Sequence, residues 1–261
     1  MSILRVEEVS KRFGGLQAIN DVSLEIRTNE ILGLIGPNGS GKTTLFNLIC
    51  GFLSPTSGKL IFKGQEIQGL PPHRIAELGI TRTFQLTEIF SDLTLLENLY
   101  IGSHLKIQYG FWDVFFNRRK KNREEQKIMA DAQDILRFLK MERKGVEKVN
   151  QMSYGEKRMV ELAIALAFGP QLLLLDEPAA GLSPEETQEL MERVGEIRAQ
   201  GVTIFLVEHH MKMVMGLCDR IVVINSGQII AEGTPSEISR NEEVIRLYLG
   251  EETNYAEARR S

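Results

Sequence analysis

Nine residues near the amino terminus have the makings of a phosphate site: Gly36, Pro37, Asn38, Gly39, Ser40, Gly41, Lys42, Thr43 and Thr44. They match G-x-x-x-x-G-K-[ST], with the apolar run Ile31–Ile35 before and a helical pattern over 42–50 after, which is the context the motif requires. Glycines let successive backbone N–H groups turn inward around a β-phosphate, unobstructed by side chains. Lys42 adds a point charge toward the β- and γ-phosphates, and the Thr43 hydroxyl can ligate Mg²⁺. The string predicts nucleotide binding.

Two carboxylates, Asp176 and Glu177, follow the leucine run Leu172–Leu175. The carboxyl end of a buried strand is where open α/β sheets bind ligands. Asp176 offers the hard oxygen that Mg²⁺ prefers. Glu177 points differently and can polarise an attacking water as general base. Taken alone, the pair also reads as a polar strand end entering a turn at Pro178. A further turn, Met152-Ser153-Tyr154-Gly155-Glu156, opens an apolar helix. Ser153 and Glu156 have capping-box spacing, and a helix start of this kind is also a place where phosphate is held.

Positioning these groups requires a sheet. Alternation over 3–9 and 22–26 predicts half-buried strands, and Ile31–Ile35, 172–175 and 202–207 read as buried ones. Further strands are expected at 59–62 and 79–84, with a short helix over 71–78. From about 88 the pattern turns helical. Thr94 and Glu97 form a capping box, and Ile128, Ala132, Ile135, Leu136 and Leu139 recur as a core stripe. Ser183–Gln200 reads as a helix with a capping box at Ser183 and Glu186 and Pro184 at its first position. A hairpin over 221–231 turns at 225–227, a last helix covers 242–249, and the tail frays beyond 250. The expected division is residues 1–87 and 169–250 as two parts of an α/β core, 88–168 as an inserted helical subdomain, and 251–261 as tail.

A net charge of −4 gives the chain no overall electrostatic reason to bind nucleic acid. Its two cysteines are too few for a disulfide framework or zinc site, which suits the cytosol. No apolar run approaches the ~20 residues of a membrane helix, so any membrane role is expected to come through a partner.

The phosphate loop, Thr83-Phe84-Gln85, Met152–Glu156, Leu172–Pro178 and Val207-Glu208-His209 occur in one order. Together they resemble the ATP-binding cassette (ABC) ATPases over essentially the whole chain. The resemblance implies a P-loop NTPase fold of ABC type: a mixed core sheet, an antiparallel amino-terminal β part and the inserted helical subdomain. It implies that Phe13 stacks on adenine, that Gln85 senses Mg²⁺ and water, and that His209 lies near the γ-phosphate. Ser153, Gly155 and Glu156 would meet the nucleotide of a second, antiparallel cassette. Tyr154 and Glu156 depart from the usual LSGGQ string, and Ser183 from the Asp common in the interface loop.

Local strings such as GITRTFQ, SYGEKRMVELA and DEPAAGLSPEE are similar to the ATPase subunits of branched-chain amino-acid importers, and 104–127 to an insertion in the longer of two such subunits. Urea-importer and lipopolysaccharide-export ATPases have overlapping strings. The implied cofactors are ATP and Mg²⁺. Implied partners are integral membrane permease subunits, a second ATPase subunit and, indirectly, a periplasmic or extracellular amino-acid-binding protein. The implied location is cytoplasmic, peripheral on the inner face of the membrane. The insertion's aromatics (Phe111, Trp112, Phe115, Phe116) and cations (Arg118, Arg119, Lys120, Lys121, Arg123) fit either a headgroup surface or a small satellite core. A nucleic-acid-associated cassette and a P-loop kinase are rival readings. The first would show salt-sensitive RNA or DNA binding, the second phosphorylation of a small molecule.

Overall fold

A computed structural model describes residues 1–83, 89–104 and 118–248, without the side chains of 104 and 118–124. Its first sheet follows from apolar–polar alternation. β1 (Ser2–Phe13) buries Leu4, Val6 and Val9, and β2 (Leu16–Arg27) buries Ile19, Val22, Leu24 and Ile26. Both strands run longer than expected. A bulge between Val6 and Val9, with Glu8 at φ 50°, resets the pairing and carries β1 on to Phe13. With β4 (Ser57–Phe62) and β5 (Gln65–Glu66) the order is β2-β1-β4-β5, antiparallel throughout.

The second sheet holds β3 (Ile31–Ile35), β6 (Ile80–Arg82), β7 (Leu172–Asp176), β8 (Thr203–Val207), β9 (Arg220–Asn225) and β10 (Gln228–Gly233) in the order β10-β9-β3-β8-β7-β6. Five strands are parallel, and β10 closes one edge antiparallel. Covered on both faces, its central strands are apolar without alternation. That is why four leucines follow one another. Leu172 and Leu174 face the antiparallel sheet and α1 (Lys42–Ile49), whereas Leu173 and Leu175 face the helices on the other side. Phe46 on α1 and Phe205 on β8 meet with ring centroids 4.9 Å apart, both fully buried. Phe205→Ala is expected to lower unfolding stability by about 3–5 kcal/mol in urea titration; a loss under ~1 kcal/mol would mean the core does not depend on this pair.

On that other face lie α3 (Leu95–His104), α4 (Arg118–Phe138) and α5 (Tyr154–Ala167), with α2 (Pro72–Glu77) preceding β6. Thr94 and Glu97 form the expected box: the Thr94 N–H donates to Glu97 at 2.7 Å and the Glu97 N–H to Thr94 Oγ1 at 3.2 Å. Ile128, Ala132, Leu136 and Leu139 are buried as the stripe required, with Ile135 partly so. The helix after the leucine strand is α6 (Pro184–Ala199), capped by Ser183. Two short helices were not anticipated, α7 (Met211–Leu217) and α8 (Pro235–Ile238), the latter with its own capping box at Thr234 and Glu237. Residues 242–248 are helical. No helix among the described residues is long and apolar enough to cross a membrane. Phe84, Gln85, the aromatic cluster 111–116 and the tail lie outside the described residues, as do the side chains of the basic run.

Both cysteines are buried, and burial pushes the thiols of Cys50 and Cys218 up to about 12. The folded protein should therefore leave a thiol reagent unreacted at pH 8 and consume two equivalents after denaturation; rapid labelling of the native chain would contradict this burial.

Candidate functional site

Three adjacent parallel strands, β3, β8 and β7, end at one edge of the sheet. Leu34 pairs with Val207 and Val207 with Asp176. The phosphate loop, the His209 segment and the Asp176–Glu177 pair thus leave neighbouring strands at the same level, some ~5 Å from one to the next. This is the carboxyl edge at which parallel sheets bind ligands.

The loop is held open from below. Gly41 sits at φ 110°, and a Cβ there would stand 2.7 Å from the Ala18 carbonyl of β2, so only glycine fits. The Gly227 N–H donates to the Ser40 carbonyl at 2.9 Å and the Asn20 N–H to the Gly227 carbonyl at 2.8 Å, tying loop, hairpin and first sheet together. Lys42 is buried, its Nζ donating to the Gly36 and Pro37 carbonyls at 2.7 and 2.8 Å. The ammonium therefore already lies within the turn. Asn38, Gly39 and Thr43 are exposed, Pro37 and Thr44 half-buried. Ser40 is buried with its Oγ lacking a partner in the described structure, a polar atom left over inside the cradle.

Asp176 and Glu177 diverge as expected. The Asp176 side chain is mostly buried and ion-paired with Arg82 of β6, which also donates to Asn47 Oδ1 of α1 at 2.7 Å. Glu177 adopts φ 47°, an uncommon left-handed conformation for a non-glycine residue, and its N–H donates to the Val207 carbonyl at 2.8 Å. Its Oε1 lies 3.8 Å from His209 Nδ1, both side chains being substantially exposed. Among the described residues no cluster of three or more His, Cys, Asp or Glu could hold a metal alone. The Thr43 hydroxyl and the Asp176 carboxylate are hard-oxygen groups of the kind that would hold Mg²⁺ together with phosphate oxygens.

Ser153 caps α5 in a complete box: Glu156 N–H to Ser153 Oγ at 3.2 Å, Ser153 N–H to Glu156 Oε2 at 2.8 Å. A hydrogen bond from Lys144, 2.6 Å from Oε1, and then the Ser153 N–H hold the Glu156 carboxyl below its usual range. Besides Lys144, the neighbours of this turn lie around the start of α6. A Cβ on Gly155 would meet Glu186 Oε1 at 2.2 Å, and one on Gly181 would meet the Tyr154 ring at 2.9 Å. None of these neighbours belongs to the phosphate loop. Phe13 ends β1 at 45% exposure with Lys11 Nζ 5.1 Å from its ring centroid. Gln85 lies outside the described residues.

Two polar residues at this edge escaped the sequence reading. Arg82 is a lone cation in a short strand, and that is its only sequence signal. Glu208 stands beside the histidine and is 1% exposed.

The profile described as "ABC transporter" matches residues 19–180, and one described as "Branched-chain amino acid ATP-binding cassette transporter" matches 228–253. The high-affinity branched-chain amino acid transport ATP-binding proteins LivG of Salmonella typhimurium and BraF of Pseudomonas aeruginosa are each 42% identical to this chain, over 95% of it and 98% of the relative. A probable LivG of Archaeoglobus fulgidus is 37% identical over 96% of both. Among solved structures, the ADP conformation of the ATP-binding cassette MJ1267 superposes with a TM-score of 0.85 at 33% identity, covering 96% of this chain and 99% of that one. Motif order, sheet topology and these likenesses agree, and the chain belongs to the ABC transporter family, as an ATP-hydrolysing cassette grouped with the branched-chain amino-acid transport ATP-binding proteins.

Proposed function

We propose that this chain is the ATP-hydrolysing subunit that powers import of branched-chain amino acids through a membrane ABC transporter. The observation that carries the chemistry is the convergence of the Lys42 cradle, Asp176–Glu177 and His209 on three adjacent strand ends. The cargo class is supported by the full-length similarity to LivG and BraF and by the match at 228–253.

Backbone N–H groups of Gly36–Gly41, with Lys42 and Thr44, hold the phosphates of ATP, and Phe13 offers its ring face to adenine. Thr43, Asp176 and Gln85 hold Mg²⁺, which neutralises phosphate charge when bound. Glu177 takes the proton of the attacking water. His209 steadies the γ-phosphate. Ser153, Gly155 and Glu156 belong to the neighbouring cassette's nucleotide, consistent with a turn whose same-chain neighbours are Lys144 and residues around the start of α6. Two cassettes then close on ATP and reopen on hydrolysis. Residues around 85–99, in the helical section, pass that motion to integral membrane permeases at the cytoplasmic face. An external amino-acid-binding protein acts through those permeases.

The test is to isolate the protein with its membrane partners, reconstitute the complex in vesicles and measure ATPase stimulation by candidate cargoes. Leucine, isoleucine or valine should stimulate it. Stimulation by urea instead, or purification without integral membrane subunits, would contradict the cargo assignment.

A further inference from the structure

Where the main-chain ladder between β7 and β8 ends, a side chain continues it. Asp176 pairs with Val207, and the Glu177 N–H donates to the Val207 carbonyl. One step further, Glu208 turns its carboxylate inward. Oε1 accepts the Ala179 N–H at 2.8 Å, and Oε2 accepts the N–H groups of His209 at 2.9 Å and His210 at 3.0 Å. Its side chain is thus bonded to the segment after Asp176–Glu177 and to the one bearing His209.

A carboxylate at 1% exposure is a costly group to bury unless hydrogen bonds satisfy it, and three backbone donors do so here. The Ala179 contact spans residues far apart in sequence, so no local turn requires it. Beyond the ends of the two strands it joins lie exposed side chains: Glu177, in an uncommon left-handed conformation, and His209. With both side chains this exposed, little packing is available to position them, and that leaves the backbone segments that carry them.

We propose that Glu208 is a positioning residue for hydrolysis, a buried clamp that fixes the His209 segment against the segment carrying Glu177. It touches no substrate and acts through His209 and the Ala179 peptide. The inference rests on the proposed roles of Glu177 and His209.

The test is a double-mutant cycle in the transporter complex. Glu208→Gln keeps the shape but turns one acceptor oxygen into an NH₂ donor, which cannot serve the N–H groups it faces. Its kcat is expected to fall about 10–100-fold, the size of effect that small misplacements of reacting groups produce. KM for ATP should stay near wild type, and the buried hydrogen bonds lost should lower the thermal midpoint by a few degrees without unfolding the protein at the assay temperature. Glu208→Asp keeps the charge and shortens the reach by about one bond, ~1.5 Å; it is expected to lose kcat similarly while folding, and decides the matter should the glutamine variant fold poorly. In a His209→Ala background, Glu208→Gln should cost less than about 3-fold further, because residues acting as one unit are non-additive. Wild-type kcat in both Glu208 variants, or a fully additive loss with His209→Ala, overturns the clamp while leaving the site reading intact. A His209→Ala protein with wild-type turnover overturns the reading of His209 and, with it, the clamp.

Discussion

Glu177→Gln should bind ATP normally, hydrolyse it about 10³-fold more slowly and accumulate as a closed dimer. A positioned general base contributes about 10²–10⁴-fold, and the amide cannot take the water's proton. The substitution is nearly isosteric, and the main chain at this position is held by the Glu177 N–H to the Val207 carbonyl, so the fold should not change. Binding should be untouched, because the proposed phosphate site is the Lys42 loop. With hydrolysis slowed and affinity kept, the ATP-bound species loses its hydrolytic exit and the dimer persists while ATP is present. Phosphate release and sedimentation with Mg-ATP measure the two halves of this expectation. Near-normal turnover would remove Glu177 as the base.

Lys42→Ala should fail at the earlier step. The Lys42 ammonium is buried and spans the loop, donating to the Gly36 and Pro37 carbonyls. On binding it can exchange these acceptors for phosphate oxygens without travelling far, so little reorganisation is needed. Hydrogen bonds involving a charged group are worth about 1.5–3 kcal/mol, which corresponds to about 10–150-fold in ATP affinity. Turnover should drop to background as well, since the same charge is most needed when negative charge shifts onto the leaving phosphate. Calorimetric titration with ATP under conditions that block hydrolysis reads the affinity directly. Unchanged binding would move the nucleotide away from this loop.

The legible parts of the molecule are those written in short stretches. Ile31–Ile35 and the capping boxes at Thr94, Ser153 and Ser183 lie where local pattern places them, because each is decided within a few residues. The Thr234 box is equally local in its signal. The strand expected over 3–9 stops short of the observed Phe13 because the bulge at Glu8 breaks the alternation that defines a strand in sequence. The candidate site divides in the same way. Lys42, Asp176 and Glu177 announce themselves by motif and strand context. Arg82 and Glu208 do not, because each matters only through a partner distant in sequence: Arg82 through Asp176, Glu208 through Ala179. Nothing local distinguishes a buried carboxylate from a solvated one. The Ser153 turn is legible as a cap and silent about its target, since its same-chain neighbours, Glu186 and Lys144, account for its geometry without a nucleotide.

Whether a second cassette completes each nucleotide site is therefore the claim on which the scheme stands. Sedimentation of Glu177→Gln with saturating Mg-ATP, alone and with the membrane subunits, tests it most directly, with Ser153→Arg as the companion variant. The account predicts a dimer carrying two nucleotides that dissociates when ATP is removed and does not form with the bulky charge at Ser153. A strictly monomeric protein under every one of these conditions, or a dimer indifferent to Ser153→Arg, would contradict it.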